Sequence, residues 1–187
     1  MLPMRFLKTV LACLAFAAPL GAQAPAAGST TVIVVRHAEK EAEPAADPAL
    51  TAAGSARAQA LADALRDAHV TAVVSTQFAR TRLTAAPTAA MAGRTVEVSD
   101  ARAPDHAAVL AASLLAAHRG ETVLVVGHSN TVPAIVEALG APRPAPICDA
   151  AYDNLYVVTV PPSGPATVVH AHYGAASPAD ASCAGMK

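Results

Sequence analysis

The chain has 187 residues, of which 53% are hydrophobic and 3% aromatic, and its formal net charge is −1. This length is enough for one domain with a substantial core. The near-neutral charge and the scarcity of aromatic residues argue against a nucleic-acid-binding surface, which would need a basic stripe or stacking rings.

The amino-terminal segment has the pattern of a secretory signal peptide. Two basic residues precede an apolar stretch at 9–20, and Ala22-Gln23-Ala24 then has the small-x-small spacing of a cleavage site. The apolar stretch is shorter than the roughly 20 residues that a membrane span needs. We therefore expect residues 1–24 to be removed and residues 25–187 to form a single domain, exported to the periplasm or secreted, with no membrane span. An uncleaved anchor is the alternative.

Strand and helix patterns alternate along the rest of the chain. Apolar, β-branched runs predict strands at 31–36, 71–75, 95–98, 121–128, 153–160 and 166–173. Helical spacing and end signals predict helices at 51–68, 78–91, 104–118 and 130–139. Such alternation implies a three-layer α/β/α fold, in which helices cover both faces of a mostly parallel sheet. The last two strands, joined by the short "PPSG" turn, are expected to form an antiparallel edge.

Polar side chains follow three of the predicted strands at the point where each strand ends. Arg36 and His37 end the first strand, Arg80 comes shortly after the second, and His128 ends the fourth. Because ligands bind at the carboxyl ends of the strands in such sheets, we expect these four side chains to converge. No carboxylate partner is evident for them in the motifs, and the planar fork of arginine binds phosphate oxygens bidentately. The set therefore predicts an anion site suited to phosphate.

These segments resemble the histidine phosphatase superfamily, which includes the cofactor-dependent phosphoglycerate mutases. "VVRHAEK" is similar to the opening Arg-His motif of that family, and "LTAAGSARAQALADAL" is similar to its first helix. "VVSTQFARTRLTAAP" matches its Ser-x-x-x-x-Arg-x-x-x-Thr segment through Ser75, Arg80 and Thr84, and "VLVVGHSNTVPAIVEALG" matches the strand and helix that carry its second histidine. The resemblance covers nearly the whole mature chain and implies a phosphoglycerate mutase-like fold.

The resemblance also implies a phosphatase that uses no metal and no other cofactor. His37 would attack phosphorus and become a phosphohistidine, while Arg36, Arg80 and His128 would bind the phosphoryl oxygens before water completes the hydrolysis. The substrate would be a phosphomonoester or a phosphohistidine, carried by a small molecule or by a phosphoprotein. The short connections between strands and helices leave an open site, which favours hydrolysis over mutase chemistry.

The general acid is the point at which this chain departs from the family pattern. Mutase-like members carry a Glu after the equivalent of the strand at 95–98, and the first carboxylate in that place here is Asp100. We assign Asp100 as the acid, with Asp105 and Glu39 as alternatives. Two other functions stay open at this point. One is a non-catalytic phosphate- or phosphoprotein-binding module, and the other is an exported relative that modifies lipid or lipopolysaccharide phosphates.

Cysteine and histidine positions allow two further expectations. Cys148 and Cys183 remain after signal removal, and in an oxidising compartment we expect them to form a disulfide, with two unpaired thiols as the alternative. His170 and His172 share one face of a predicted strand but have no third ligand nearby, so we expect no metal site there.

Overall fold

The structure is a computed structural model that describes residues 28–178. The predicted signal peptide and Cys183 lie outside these residues. All the predicted elements within them are present, and most of their bounds differ from the prediction by one or two residues. In chain order they are β1 (Thr30–Arg36), α1 (Ala52–Ala64), β2 (Ala72–Thr76), α2 (Ala79–Met91), β3 (Val96–Ser99), α3 (His106–Ala117), β4 (Thr122–Gly127), α4 (Val132–Ala138), β5 (Asn154–Val160) and β6 (Thr167–His172).

The six strands form one sheet in the order β3-β2-β4-β1-β5-β6. The first four strands of that order are parallel, whereas β5 runs antiparallel to both β1 and β6. The predicted antiparallel edge is therefore confirmed. In the pairing of β1 with β4, Arg36 lies opposite Gly127, so the next residues of the two strands, His37 and His128, leave the sheet side by side.

Helices cover both faces of the sheet, as predicted for a three-layer α/β/α fold. Ile33 and Val35 of β1 belong to a core cluster that includes side chains of α1 and α2. Val32 and Val34, which point the other way, belong to a second cluster that includes side chains of α3 and α4. The central strands are buried on both faces. Their sequences are therefore continuous β-branched runs rather than alternating apolar and polar residues.

Two helices have different bounds from those expected. α1 ends at Ala64 because a turn begins there, in which the Ala68 N–H donates to the carbonyl of Leu65. α3 begins at His106 rather than at Pro104, because Asp105 has a left-handed φ of 56° that a helix cannot include. Within the described part of the chain, no helix has the length and hydropathy required to cross a bilayer.

The start of α1 packs directly against the loop that follows His37. Thr51 caps this helix by accepting a hydrogen bond from the Gly54 N–H at 3.0 Å, and its own N–H donates to the Glu39 carbonyl at 3.0 Å. A Cβ at position 54 would overlap the Glu39 carbonyl oxygen. The glycine of the Leu-Thr-x-x-Gly motif is therefore required for α1 to hold this loop in place.

Candidate active site

His37 lies at the carboxyl end of β1 with one ring nitrogen engaged. Its Nδ1 lies 2.8 Å from the carbonyl oxygen of Ala38. A carbonyl only accepts, so Nδ1 carries the proton, and in the neutral ring Nε2 keeps its lone pair. Nε2 makes no hydrogen bond to any described residue. Because the ring lines a cavity, Nε2 is the nitrogen that can attack a ligand.

Arg36, the neighbour of His37, is fixed by a turn more than a hundred residues away in sequence. Its Nη1 donates to the carbonyls of Cys148, Asp149 and Ala151 at 2.9, 2.8 and 3.2 Å. The ring of Tyr152 lies 4.2 Å from the guanidinium carbon. With Nη1 held in this way, the buried Nε of Arg36 still has no partner among the described residues. It is a donor that an anion would satisfy.

Arg80 is the second residue of α2, and it also has a buried Nε without a partner in the described region. Its guanidinium lies over the ring of Phe78, at 4.3 Å from the centroid. The expectation that the cationic set has no carboxylate partner is wrong for this residue, because Asp47 Oδ1 lies 3.9 Å from Arg80 Nη1. That oxygen accepts a hydrogen bond from the Ala79 N–H at 2.8 Å, so Asp47 serves chiefly to cap α2.

His128 is oriented by a pair of buried threonines. Its Nε2 lies 3.0 Å from the hydroxyl of Thr76, and that hydroxyl lies 2.8 Å from the hydroxyl of Thr81. Its Nδ1 has no hydrogen-bond partner among the described residues and is the nitrogen left for a ligand. Gly127 lets Thr131 approach this corner, since a Cβ there would lie 2.9 Å from Thr131 Oγ1. That hydroxyl accepts from the His128 N–H.

Thr84, the last residue of the Ser-x-x-x-x-Arg-x-x-x-Thr segment, links the two halves of the site. Its fully buried hydroxyl accepts a hydrogen bond from the Ala38 N–H at 2.9 Å and donates to the Arg80 carbonyl at 2.7 Å. It therefore ties the segment after His37 to the helix that carries Arg80.

Burial and neighbouring cations keep both histidines neutral. The pKa of His37 is lowered to about 3. Desolvation is the main cause, the charges of Arg36, His128 and Arg80 act in the same direction, and the Ala38 carbonyl opposes the shift. Desolvation, followed by the charges of Arg80, His106 and Arg36, lowers the pKa of His128 to about 4. At neutral pH the His37 ring is therefore a neutral nucleophile with a free lone pair on Nε2.

The four predicted side chains meet at one cavity of about 370 Å³. The His37 and His128 rings are 5.4 Å apart between centroids. The lining residues are Arg36, His37, Lys40, Phe78, Arg80, Ala101, Arg102, His128, Ser129, Asn130 and Thr131. No carboxylate is among them.

The candidate acids lie outside this lining. Asp100 sits next to Ala101 at the rim, and its Oδ1 accepts hydrogen bonds from the Gln77 side chain at 2.8 Å and from the Arg102 N–H at 3.0 Å. The carboxylate of Glu39 is bound by Arg57, whose Nε and Nη2 donate to it at 2.8–3.0 Å.

The structure gives different reasons against Glu39 and Asp105, the two alternatives to Asp100 as the general acid. Burial alone would raise the pKa of Glu39, but the hydrogen bonds from Arg57 outweigh it and the pKa is lowered, which suits a structural anion better than a proton donor. Asp105 is exposed and its side chain makes no capping hydrogen bond. The acid role of Asp100 stays a prediction.

The sequence reasoning missed several residues of the site. Lys40, Phe78 and Arg102 line the cavity, and Tyr152 contacts Arg36. Lys40 and Phe78 lie within three residues of a predicted site residue, and this proximity in sequence could have identified them. Tyr152 had no such signal, because only the fold brings it to β1.

The remaining histidine and cysteine expectations concern other parts of the surface. His170 Nε2 lies 2.8 Å from Asn154 Oδ1, and His172 Nδ1 lies 3.2 Å from Asp153 Oδ2. Within residues 28–178, no group of three His, Cys, Asp or Glu side chains is arranged to hold a metal ion. Cys148 is disulfide-bonded. Because Cys183 lies outside the described residues, the pairing of Cys148 with Cys183 stays a prediction.

Comparison with known proteins gives a family match for part of this site. A family model described as "Histidine phosphatase superfamily (branch 1)" matches residues 32–103, which include Arg36, His37 and Arg80. No curated protein sequence matches the chain significantly.

Solved structures share the fold. One is a protein from Nakamurella multipartitia with the provisional name phosphohistidine phosphatase SixA. It is 26% identical with a TM-score of 0.58, and the match covers 80% of this chain and 99% of that one. The protein histidine phosphatase SixA, solved with tungstate, is 23% identical with a TM-score of 0.59, over 76% of this chain and 96% of that one.

A third similar structure is a mycobacterial glucosyl-3-phosphoglycerate phosphatase. It is 18% identical with a TM-score of 0.57, and the match covers 70% of this chain and 90% of that one. The family match is confined to residues 32–103, and the shared fold and the motif residues assembled at one cavity agree with it, so this part of the chain matches the histidine phosphatase superfamily and supports an enzyme of the phosphatase type.

Proposed function

We propose that this protein hydrolyses a phosphomonoester, or a phosphohistidine, through a phosphohistidine intermediate on His37, and that it does so without a metal. The observation that carries the proposal is the state of the His37 ring. Its Nδ1–H is held by the Ala38 carbonyl, and Nε2 is left unprotonated at a cavity edged by unpartnered arginine donors.

In the first step, the Nε2 lone pair of His37 attacks phosphorus. A P–N bond forms as the ester P–O bond breaks, and the electron pair of that bond leaves with the alkoxide. The guanidinium groups of Arg36 and Arg80 and the side chain of His128 bind the phosphoryl oxygens as their charge redistributes. Two guanidinium groups supply the positive charge that a metal ion would otherwise provide.

A proton donor and a water molecule complete the cycle. We assign Asp100 to protonate the leaving oxygen and then to take a proton from the attacking water. Water attacks phosphorus, the P–N bond breaks, and its electron pair returns to His37 Nε2. The net reaction converts an ester and water into an alcohol and inorganic phosphate. Because the carboxylate of Asp100 is bound to Gln77 and Arg102, this role requires the Asp100 side chain to leave these hydrogen bonds and turn toward the cavity.

The decisive experiment traps the intermediate. The enzyme is mixed with a ³²P-labelled aryl phosphate and quenched in alkaline detergent, because acid cleaves the phosphoramidate. The label should be acid-labile and map to His37, and His37→Ala should be unlabelled and inactive while still folded. An unlabelled wild type, or activity above about a tenth in His37→Ala, would refute the mechanism. Phosphate binding without any turnover would identify the binding-module alternative.

We also propose that the protein is exported after removal of residues 1–24. The signal-like amino terminus and a disulfide at Cys148 both favour an oxidising compartment. Mass spectrometry of protein recovered from outside the cytoplasm should show a mature chain that begins near residue 25. A full-length chain confined to the cytoplasm would reject export.

A further inference from the structure

The cavity is larger than a phosphoryl group needs. About 370 Å³ lies within the range of cavities that hold small organic ligands, whereas a phosphoryl group is only four heavy atoms. Arg36, His37 and His128 are buried at its base. Lys40 and Arg102 are exposed and line the same cavity further out. The rest of the substrate should therefore lie against the outer residues.

The outer part of the cavity carries two cations that the proposed chemistry does not use. Arg36 and Arg80 already provide the phosphate donors. Neither Lys40 nor Arg102 has an ion-pair partner among the described residues. Asp100 lies at the rim, but the lining itself contains no carboxylate, so positive charge exceeds negative charge in the outer cavity and favours an anion.

Arg102 is exposed, but it packs against an aromatic ring of the cavity lining. Its guanidinium carbon lies 5.1 Å from the centroid of the Phe78 ring, the same ring that Arg80 contacts at 4.3 Å. Both guanidinium groups therefore pack on the same ring of the cavity lining. On the other element, Lys40 follows His37 by three residues, and its backbone is bridged to Leu50, which fixes the base of its side chain at the cavity edge.

We propose that Lys40 and Arg102 form a subsite for a second anionic group of the substrate, a carboxylate or a second phosphate beyond the ester oxygen. The inference rests on the proposed function and narrows its substrate class to small phosphomonoesters with a second negative charge. Two partly exposed ion pairs, each worth about 2- to 5-fold in binding, together give a preference of about tenfold.

A matched pair of substrates tests the subsite. 3-(Phosphonooxy)propanoate and its amide share the same ester and nearly the same shape, and they differ by one charge. The wild type should have a kcat/KM about tenfold higher for the acid. Lys40→Met and Arg102→Met should each lower the acid-to-amide ratio about threefold, and the double variant should bring it close to one. Arg82→Met removes an exposed cation of α2 that does not line the cavity, and it should leave the ratio at its wild-type value.

Each other outcome contradicts the subsite for a different reason. Equal values for acid and amide in the wild type would overturn it outright. If both substrates lose rate together in the double variant, so that their ratio persists, the two cations only steer anions from solution. If the wild type hydrolyses neither substrate nor an aryl phosphate, the proposed function itself fails and the subsite falls with it. Circular dichroism establishes that the variants are folded.

Discussion

Two threonines on α2 provide a matched test of how the site is held together. Thr84 and Thr88 are one turn apart, and both are 0% exposed. The Thr84 hydroxyl links the Ala38 N–H to the Arg80 carbonyl, whereas the Thr88 hydroxyl is buried without a partner among the described residues. Replacing either by valine exchanges a hydroxyl for a methyl of similar size, so the two variants differ mainly in what the lost hydroxyl was bonded to.

The two variants should change the free energy of unfolding differently. Thr84→Val leaves the Ala38 N–H buried without an acceptor, which should destabilise the fold by about 1–3 kcal/mol. Thr88→Val removes a buried polar group that has no partner, so it should be neutral or stabilising by up to about 1 kcal/mol. Only Thr84→Val should also lower kcat, by about 10- to 100-fold. Loss of the Thr84 hydroxyl frees the segment that follows His37, and the Ala38 carbonyl of this segment holds the His37 ring.

The two quantities are measured by urea unfolding at pH 7 and by hydrolysis of nitrophenyl phosphate. Thr84→Ser keeps the hydroxyl and should restore most of the stability and activity, which provides a second measurement if Thr84→Val does not fold. Unfolding free energies of Thr84→Val and Thr88→Val that agree within about 0.5 kcal/mol would show that the hydrogen bond to Ala38 does not position the site.

Four further predictions follow from the same geometry. Arg80→Lys should lower kcat/KM by about 10²–10³, since a point charge cannot replace the planar fork, while Arg82→Lys on the exposed face of α2 should have no effect. Thr76→Val should lower kcat about tenfold by releasing the His128 ring, and an unchanged kcat would show that packing alone orients this ring. Asp100→Asn should slow an alkyl phosphate by about 10²–10⁴ and a nitrophenyl ester far less, and equal losses on both would remove Asp100 from the acid role. The folded pKa values of His37 and His128, about 3 and 4, lie below the ordinary 6.5, so the unfolded chain binds protons more readily. Stability should therefore be complete above pH 6.5 and fall below it, by about 1 kcal/mol per histidine per pH unit, and urea titrations of His37→Asn should show a correspondingly smaller slope.

The sequence by itself determined the elements, their order and the end of the sheet at which the site lies. β-Branched runs flanked by turn residues can be satisfied only as buried strands, and parallel strands bring their carboxyl ends to one edge. For this reason Arg36, His37, Arg80 and His128 could be placed together in advance. Local propensity and pairing geometry are properties of short segments, so they can be predicted without knowledge of the loop conformations.

Only the tertiary structure decided what those four side chains contact. The carbonyls that fix Arg36 belong to Cys148, Asp149 and Ala151, and no local pattern connects that turn to β1. Asp47 lies outside every predicted strand and helix, and no sequence pattern indicated that it would cap α2 and lie near Arg80. Such contacts depend on the path of irregular loops, whose conformations follow from packing against the whole fold rather than from their own residues.

For the same reason, the position of the nucleophile could be predicted from the sequence, whereas the position of the acid could not. His37 ends a strand of fixed register, so its position follows from the sheet. Asp100 lies in a loop after the edge strand β3, where hydrogen bonds from the distant Gln77 and the nearby Arg102 N–H set the direction of its carboxylate. Strand register is specified by a periodic apolar pattern, whereas the direction of a loop side chain is specified by single contacts that only the folded chain creates.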